Sequence, residues 1–280
     1  MEKITTKDQL KALLKKLPKE QHPDILASPQ VKRLQLPKLL LHVARGEQEE
    51  AKKLLEANAD SQLLLQAGKF TDYSGRTFNC TAYEYAYWAK DTHMCRMLEQ
   101  QMDEETKAEM LIRCEAMERD GLDYTQNGEE KNSAHFDFMP LITALQIYVN
   151  EYMNWMNVGK AQRDVPAHVA HEYCRLDRIF FPLSEFNEPS LPRNLTFYNR
   201  ETERNESWFP FGVSSGLGFD FSLIQRQPLV GMRQQAEREL ALWNLGAVRS
   251  LDKVRTADLT QSLENLKPLA QVAGLGSLNA

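Results

Sequence analysis

Apolar residues recur at helical spacing along most of the chain, and short polar or turn segments separate these stripes. The first stripe consists of Leu10, Leu13, Leu14 and Leu17. It ends at Pro18, which terminates the helix that the stripe predicts. Later stripes predict two short helices around Gly46, a helix pair over about 81–101, a longer helix over 104–119 and one that begins near Pro140. The pattern predicts a mainly α-helical fold.

Capping and turn residues mark the ends of these predicted helices. Gly46 separates the first two short helices, and Asn58 follows the second at a position that favours positive φ. Asp103 is placed as the N-cap of the longer helix, and Gly121 follows its end. Two polar stretches are predicted to be a long connection and a polar loop, over residues 60–80 and 121–135.

The character of the chain changes near Gly159. Pro166 begins one more predicted helix, which extends to about Asp177. Residues 180–230 are rich in Pro, Gly, Asn and aromatic residues, and two segments there predict the arms of a small β-hairpin, Leu195–Tyr198 and Trp208–Phe211. A final amphipathic helix is predicted over about Arg233–Leu245.

Composition and charge disfavour several classes of protein. No run approaches the roughly 18–20 apolar residues of a membrane helix, and the first ten residues lack the apolar core of a secretory signal peptide. Residues 36–130 carry 19 acidic and 11 basic side chains, so we expect no nucleic-acid partner, because this block repels phosphates. Lysines at helical spacing on the first helix leave peripheral membrane contact open, although such a face is more often solvated.

The four cysteines are too scattered for a disulfide framework or a zinc site, and they predict free thiols in a reducing cytosol. These are Cys80, Cys95, Cys114 and Cys174.

Two segments of the chain resemble ankyrin repeats. Residues 46–60, GEQEEAKKLLEANAD, are similar to the second helix and exit of a repeat, and LHVA at 41–44 is similar to its L-H-x-A motif. Further on, GRT at 75–77 and TAYEYA at 81–86 resemble the opening of a second repeat, although the link between the two is about twice the usual length. PLITA at 140–144 opens a third, poorer copy. The resemblance implies stacked helical hairpins with an elongated binding surface.

Residues 60–160, and the stretch from Arg163 to Arg193, are also similar to a group of effector proteins that intracellular bacterial pathogens deliver through a Dot/Icm type IV secretion system. That resemblance implies action in the host cytosol, by engaging host proteins. Leu278, near a small and polar C-terminus, is compatible with such a secretion signal.

The expected fold class is therefore mainly α, with ankyrin-like helical hairpins and an α-rich C-terminal region that contains a small β-hairpin. Four parts are expected in order: an N-terminal helical segment, the ankyrin-like region, a mixed C-terminal region and a loosely ordered tail, over residues 1–35, 36–157, 158–250 and 251–280. No cofactor and no metal are expected, and the oligomeric state stays open.

The loops and first helices of ankyrin arrays form their binding face, and aromatic and Arg side chains are the usual anchors of an interface. This rule predicts six contacts with a protein partner: Phe70, Tyr73, Arg76, Tyr83, Tyr87 and Trp88. The alternative is that these side chains pack between the hairpins. The predicted function is protein–protein interaction.

His168-x-x-His171-Glu172 is the pattern that looks most like a metal site, but its spacing differs from the HExxH zinc motif. Val169 and Tyr173 form an opposite, apolar helix face, so we expect both histidines on a solvated surface. The pattern does not predict a metal site.

An enzyme is the open alternative. Residues 212–216 match the G-x-S-x-G nucleophile motif, but Pro210 disrupts the strand that the motif needs, and no histidine follows His171. A hydrolase or transferase would have its site in residues 160–225. Its candidate residues are His168, Arg175, Asp177, Arg193 and Ser214.

Overall fold

A computed structural model describes residues 7–21, 34–58, 61–151, 155–178, 180–199, 203–209 and 233–268. Within these ranges the helices are α1 Lys7–Lys16, α2 Leu36–Ala44, α3 Gln48–Asn58, α4 Ala82–Trp88, α5 Thr92–Glu99, α6 Glu104–Asp120, α7 Met139–Glu151, α8 Trp155–Arg163, α9 Ala167–Tyr173 and α10 Arg233–Leu266. The strands are β1 Gly68–Thr71, β2 Thr77–Cys80, β3 Leu122–Gln126, β4 Glu129–Ser133, β5 Thr196–Asn199 and β6 Arg204–Ser207. The prediction of a mainly α protein is confirmed.

Two helix–turn–helix pairs lie side by side in the first half of the protein. Helix α2 packs on α3, and α4 packs on α5; between the pairs, α2 contacts α4 and α3 contacts α5. Gly46 forms the bend of the first pair with a φ of 68°, which glycine adopts without steric cost. Thr81 and Glu84 begin α4 with a capping box: the Thr81 hydroxyl accepts from the Glu84 amide, and the Glu84 carboxylate accepts from the Thr81 amide.

A four-stranded antiparallel sheet, in the order β1-β2-β3-β4, lies beside these pairs. Phe70 pairs with Phe78, and Phe78 pairs in turn with Tyr124. The prediction of irregular chain over 60–80 and 121–135 is therefore wrong. Both stretches contain strands. Strands β2 and β3 pair although three helices separate them in the sequence, and β4 is a polar edge strand without apolar alternation.

An aromatic core fills the space between this sheet and α4. The ring of Phe78 lies 5.1 Å from Tyr85, 4.8 Å from Trp88 and 5.2 Å from Tyr124, measured between centroids. The edge-to-face geometry of the first two pairs is the favourable one for aromatic rings. These contacts join the sheet to the second helix pair.

Helix α10 joins the C-terminal region to the helix pairs, because it packs against α7, α5 and α6. It continues to Leu266, so the prediction of a loosely ordered tail from residue 251 is wrong for 251–266. Its buried side chains, which include Leu251 and Leu259, keep one face in the core over this extension. The rest of the predicted tail, from residue 269, lies outside the described residues.

A small β-hairpin in the C-terminal region is confirmed, but its second strand is Arg204–Ser207 and not the predicted arm Trp208–Phe211. Strands β5 and β6 pair antiparallel, with Phe197 opposite Glu206. Among the described helices, none combines the length and the apolar character that a membrane span requires.

Candidate functional site

Four of the six predicted partner contacts are core residues. Phe70 packs among aromatic rings, and Tyr83 donates a hydrogen bond of 2.8 Å to Glu99. Tyr87 donates to Glu118, and the indole of Trp88 donates to Ser133 at 3.0 Å. The exposed fractions of these four residues are between 0% and 8%, which favours the alternative that they pack between elements of the fold.

Arg76 is also buried, in the turn between β1 and β2. Its guanidinium pairs with Asp72 at 2.8 Å, donates to the backbone oxygen of Asp164 at 2.7 Å and lies 5.0 Å from the centre of the Trp88 ring. Burial raises the pKa of Asp164, against the lowering effect of Arg76. Arg76 therefore holds this turn against the C-terminal region.

Tyr73 is the predicted contact that keeps part of its side chain at the surface. Its ring stacks on Phe209 with centroids 4.5 Å apart, and the guanidinium of Arg45 lies 5.3 Å from the ring centre. The Tyr73 ring is thus held by other residues on two sides, and its contact with a partner stays a prediction.

The expectation of surface histidines on α9 is wrong. His168 is 1% exposed and His171 is 3% exposed, and His93 on α5 is equally buried, at 3%. The helix is covered on both sides because partners come from distant parts of the chain, near residues 91 and 193 and from α10. Single-sequence periodicity has no access to such partners. We call His93, His168, His171, Asp91 and Arg193 the histidine cluster.

An ion pair lies at the centre of the histidine cluster. Arg193 donates to both carboxylate oxygens of Asp91 at 2.9 Å and to the side-chain oxygen of Gln48 at 2.7 Å. Asp91 is also the N-cap of α5, where it accepts from the Met94 amide at 3.2 Å. Burial is the largest single influence and raises the pKa of Asp91, but the charge and hydrogen bonds of Arg193, together with His168 and His93, hold that pKa below its usual range. This carboxylate stays charged and accepts three hydrogen bonds.

Burial keeps the three histidines neutral. It lowers the pKa of His168 to about 3, and those of His93 and His171 to about 4. The charge of Asp91 opposes this effect at all three rings but does not cancel it. Both ring nitrogens of His168 lack a hydrogen-bond partner within the described residues.

A second set of ion pairs lies beside the cluster, around Glu172 of α9. Arg255 of α10 binds this carboxylate at 3.2 Å, and Arg178 binds it from the segment after α9. Arg178 and Arg175 also bind Glu188. Glu172 has a side-chain exposure of 0%, so each of these charges needs its partner.

Of the side chains proposed for an enzyme, Arg175, Arg193 and Asp177 form ion pairs, and His168 is buried. Arg193 holds Asp91, and Asp177 is an exposed partner of Arg175 at 2.6 Å. Ser214 and the rest of the G-x-S-x-G match lie outside the described residues. Across the ranges that the structure describes, no group of three or more His, Cys, Asp or Glu side chains is placed to hold a metal ion.

Residues 180–186, which we call the strap, run along α10. The Phe181 ring stacks on Trp243 with centroids 4.4 Å apart, and a Cβ added to Gly246 would lie 3.6 Å from Leu183. Further along, the strap is tied to α10 by backbone oxygens: Ser184 accepts from Ser250 at 3.3 Å, and Phe186 accepts from Arg255 at 3.2 Å. The strap therefore follows α10 for about three turns.

The strap leaves large apolar side chains at the surface. Phe181 is 50% exposed, Leu183 is 58% exposed and Leu242, one turn before Gly246 on α10, is 46% exposed. Together with Trp243 they form the apolar patch. The helical periodicity of the sequence does not predict this patch, although the apolar run Phe180-Phe181-Pro182-Leu183, outside any predicted helix, indicates an exposed apolar segment. Contiguous exposed apolar residues mark interaction sites on many proteins.

Comparison with known proteins shows the kinship of this chain. A family model described as "CBUA0006 C-terminal domain" matches residues 140–266. "Uncharacterized protein CBUA0006" of Coxiella burnetii (strain RSA 493 / Nine Mile phase I) is 37% identical over 255 residues, which cover 81% of this chain and 74% of that protein. No solved structure matches the chain. The chain belongs to the CBUA0006 family.

Proposed function

We propose that this protein is a protein-interaction module, a bacterial effector that engages a host protein. The observation that carries the proposal is the apolar patch of Phe181, Leu183, Leu242 and Trp243. The burial of apolar surface is the main favourable term in protein association, and it contributes about 25 cal/mol of free energy per Å². Three half-exposed apolar side chains beside an aromatic ring provide such surface.

Contacts with α10 fix the strap that carries the patch, so the patch is a defined surface and not a loose loop. Phe186, the last residue of the strap, is 0% exposed, and Arg255 holds its backbone oxygen. The Phe181 ring is held by Trp243. A rigid apolar surface loses less entropy on binding than a flexible one.

The two helix pairs support a repeat-like scaffold for this module. The first helices of the two pairs, α2 and α4, contact each other, and so do the second helices, α3 and α5. Stacked ankyrin repeats make contacts in the same order. In the sequence, the hairpin β1–β2 comes between the two pairs, at the position where ankyrin repeats carry their connecting loop. We therefore propose that the pairs are degenerate ankyrin repeats.

The family supports the role as an effector. The relative that shares 37% identity belongs to the pathogen Coxiella burnetii. This agrees with the resemblance of residues 60–160 to secreted effectors. A reporter enzyme that is active only in host cytosol, fused to the full chain, tests delivery; no reporter signal from a secretion-competent strain would contradict it.

The binding experiment uses the immobilised full chain and host-cell lysate. We compare the wild type with a variant that carries both Phe181→Ser and Leu183→Ser, and with the matched control Ile112→Ser. Ile112 is an apolar side chain on α6 that is 62% exposed and does not belong to the patch. We expect one host protein to be retained by the wild type and the control, and to be lost with the double variant.

Two other outcomes contradict the proposal. If the wild type retains no host protein at a reproducible stoichiometry, the interaction function is wrong. If the double variant retains the same protein as the wild type, the apolar patch is not the binding surface. Circular dichroism of each variant checks that its fold is unchanged.

A further inference from the structure

The histidine cluster joins two regions that are distant along the chain. Asp91 and His93 belong to the N-terminal turn of α5 and the residue before it, whereas His168 and His171 lie on α9 and Arg193 lies just before β5. The residues of α9 and Arg193 fall within the segment that the family model matches, 140–266, and those of α5 fall outside it. The cluster is therefore one of the contacts between the helix pairs and the C-terminal domain.

Each histidine of the cluster is close-packed against the opposite region. His93 Nε2 lies 2.9 Å from the backbone oxygen of Glu188. His171 packs on the bend of the first helix pair, where a Cβ added to Gly46 would lie only 2.8 Å from its Nε2. His168 faces Asp91. None of the three rings has room for a solvation shell of its own.

Neither ring nitrogen of His168 has a hydrogen-bond partner among the described residues. Asp91, the carboxylate that faces it, already accepts two hydrogen bonds from Arg193 and one from the Met94 amide. The next carboxylate on α9, Glu172, is bound by Arg255 and Arg178.

The arginines around the three histidines are already paired with carboxylates: Arg193 with Asp91, and Arg255 with Glu172 and Asp258. The charged and titratable groups that face the three histidines are Asp91 and Arg96 from α5, Arg193 from the segment before β5, Arg255 from α10, and the other histidines of the cluster. Protonation would add a buried positive charge beside arginines that are already paired, which costs several kcal/mol of free energy in a buried site.

We propose that the histidine cluster is an acid-sensitive latch, whose protonation releases α9 and α10 from α5. In the closed state the three rings are neutral and buried. In the open state they reach water and take up protons. Acidification therefore favours opening, because each proton is bound only by the open state. The low pKa values of the three buried rings agree with this direction.

Opening must also break the contacts that α10 makes with the helix pairs. Lys90, at the end of α4, donates to Asp252 at 2.7 Å and to Thr256 at 3.0 Å. Thr92 donates to Asp258 at 3.0 Å. These bonds are independent of the histidines, so the histidines set how opening depends on pH and the α10 bonds set how readily it occurs at neutral pH.

The test is hydrogen exchange of the full chain between pH 7 and pH 5, corrected for the intrinsic pH dependence of amide exchange. We expect α9 and α10 to lose protection as the pH falls while β1–β4 stay protected. Each histidine that is protonated only after opening changes the opening equilibrium about tenfold per pH unit below its usual pKa. His168→Gln should therefore remove a factor of about ten per pH unit from the pH dependence of the opening equilibrium.

The matched control is His135→Gln. His135 lies outside the histidine cluster, 3.0 Å from Glu118, with a side-chain exposure of 20%. This variant should keep the pH dependence of the wild type. Exchange that rises in all elements together would overturn the proposal, as would a pH dependence that His168→Gln leaves unchanged.

A second measurement on the unmodified chain decides the matter even if His168→Gln does not fold. The Cε1 signals of the histidine rings are followed by NMR as the pH is lowered. We expect His168 to stay neutral until α9 and α10 open, and then to titrate together with opening. Titration of His168 near its usual pKa in the closed protein would overturn the latch.

Discussion

The imidazole of His171 lies directly against Gly46, at the bend between α2 and α3. A Cβ on that glycine would lie 2.8 Å from His171 Nε2 and 3.2 Å from the Cβ of Ala167. The bend also has a φ of 68°, which a residue with a side chain adopts only with strain. One position therefore has two independent reasons to be glycine, and one of them comes from a residue 125 positions later in the chain.

Gly46→Ala should destabilise the protein more than Gly75→Ala does. Gly75 has a φ of 77°, but no atom of the described residues lies within 4 Å of an added Cβ there. We expect a loss of about 1 kcal/mol at Gly75 from backbone strain, and about 3 kcal/mol at Gly46 from strain plus the displacement of His171. Urea unfolding measures both losses; equal values would show that α9 does not press on the bend.

Arg193→Met should cost about 3–5 kcal/mol of unfolding free energy, because it leaves the Asp91 carboxylate buried without its counter-ion. Adding Asp91→Asn should recover part of this loss, since the uncompensated charge is then removed. The control is Lys53→Met, which breaks the exposed pair with Glu50 and should leave stability unchanged within error. An Arg193→Met variant as stable as that control would contradict the central ion pair.

The free energy of unfolding should decrease as the pH is lowered from about 6.5 to about 4. His93, His168 and His171 have folded-state pKa values of about 4, 3 and 4, against a usual value of 6.5. The unfolded chain therefore binds protons that the folded protein does not, and stability present above pH 6.5 is lost on acidification. We expect about 1.4 kcal/mol per pH unit for each histidine, measured by urea unfolding at pH 7, 6 and 5. A stability that is constant over this range would contradict the burial of these rings.

The four cysteines should resist thiol reagents until the protein unfolds. All four are buried, and burial raises the pKa of Cys174 to about 12 and those of the other three above their usual value. Reaction needs both access and the thiolate. We expect labelling by Ellman's reagent at pH 8 to be roughly 100-fold slower in the native protein than in urea. One rapidly labelled thiol in the native protein would contradict this.

Local signals in the sequence predicted the helices and several of their ends. Asp103 is the N-cap of α6, where it accepts from the Thr106 amide at 2.8 Å, and Gly121 follows the helix with a φ of 77°. Pro140 lies in the first turn of α7. These features depend on neighbours within four residues, so a single sequence contains the information they need.

The strands and the histidine cluster depend on partners that are distant in sequence. Strand β4 reads EEKNS and has no apolar face of its own, so only its pairing with β3 identifies it. The helical periodicity of α9 predicted a solvent-exposed face for its histidines. The residues that cover this face, such as Asp91, Arg193 and Arg255, lie about 25 to 90 positions away in the sequence. Periodicity describes one element at a time, whereas burial is decided by the assembled fold.

The apolar patch is tested at the level of a single position by a photo-activated cross-linking residue in place of Leu183. The same residue in place of Ile112, which is exposed on α6, serves as the control. After irradiation in host-cell lysate, we expect one discrete cross-linked host protein from position 183 and none from position 112. Irradiation that yields no discrete product at position 183, or the same product at both positions, would contradict binding through the strap.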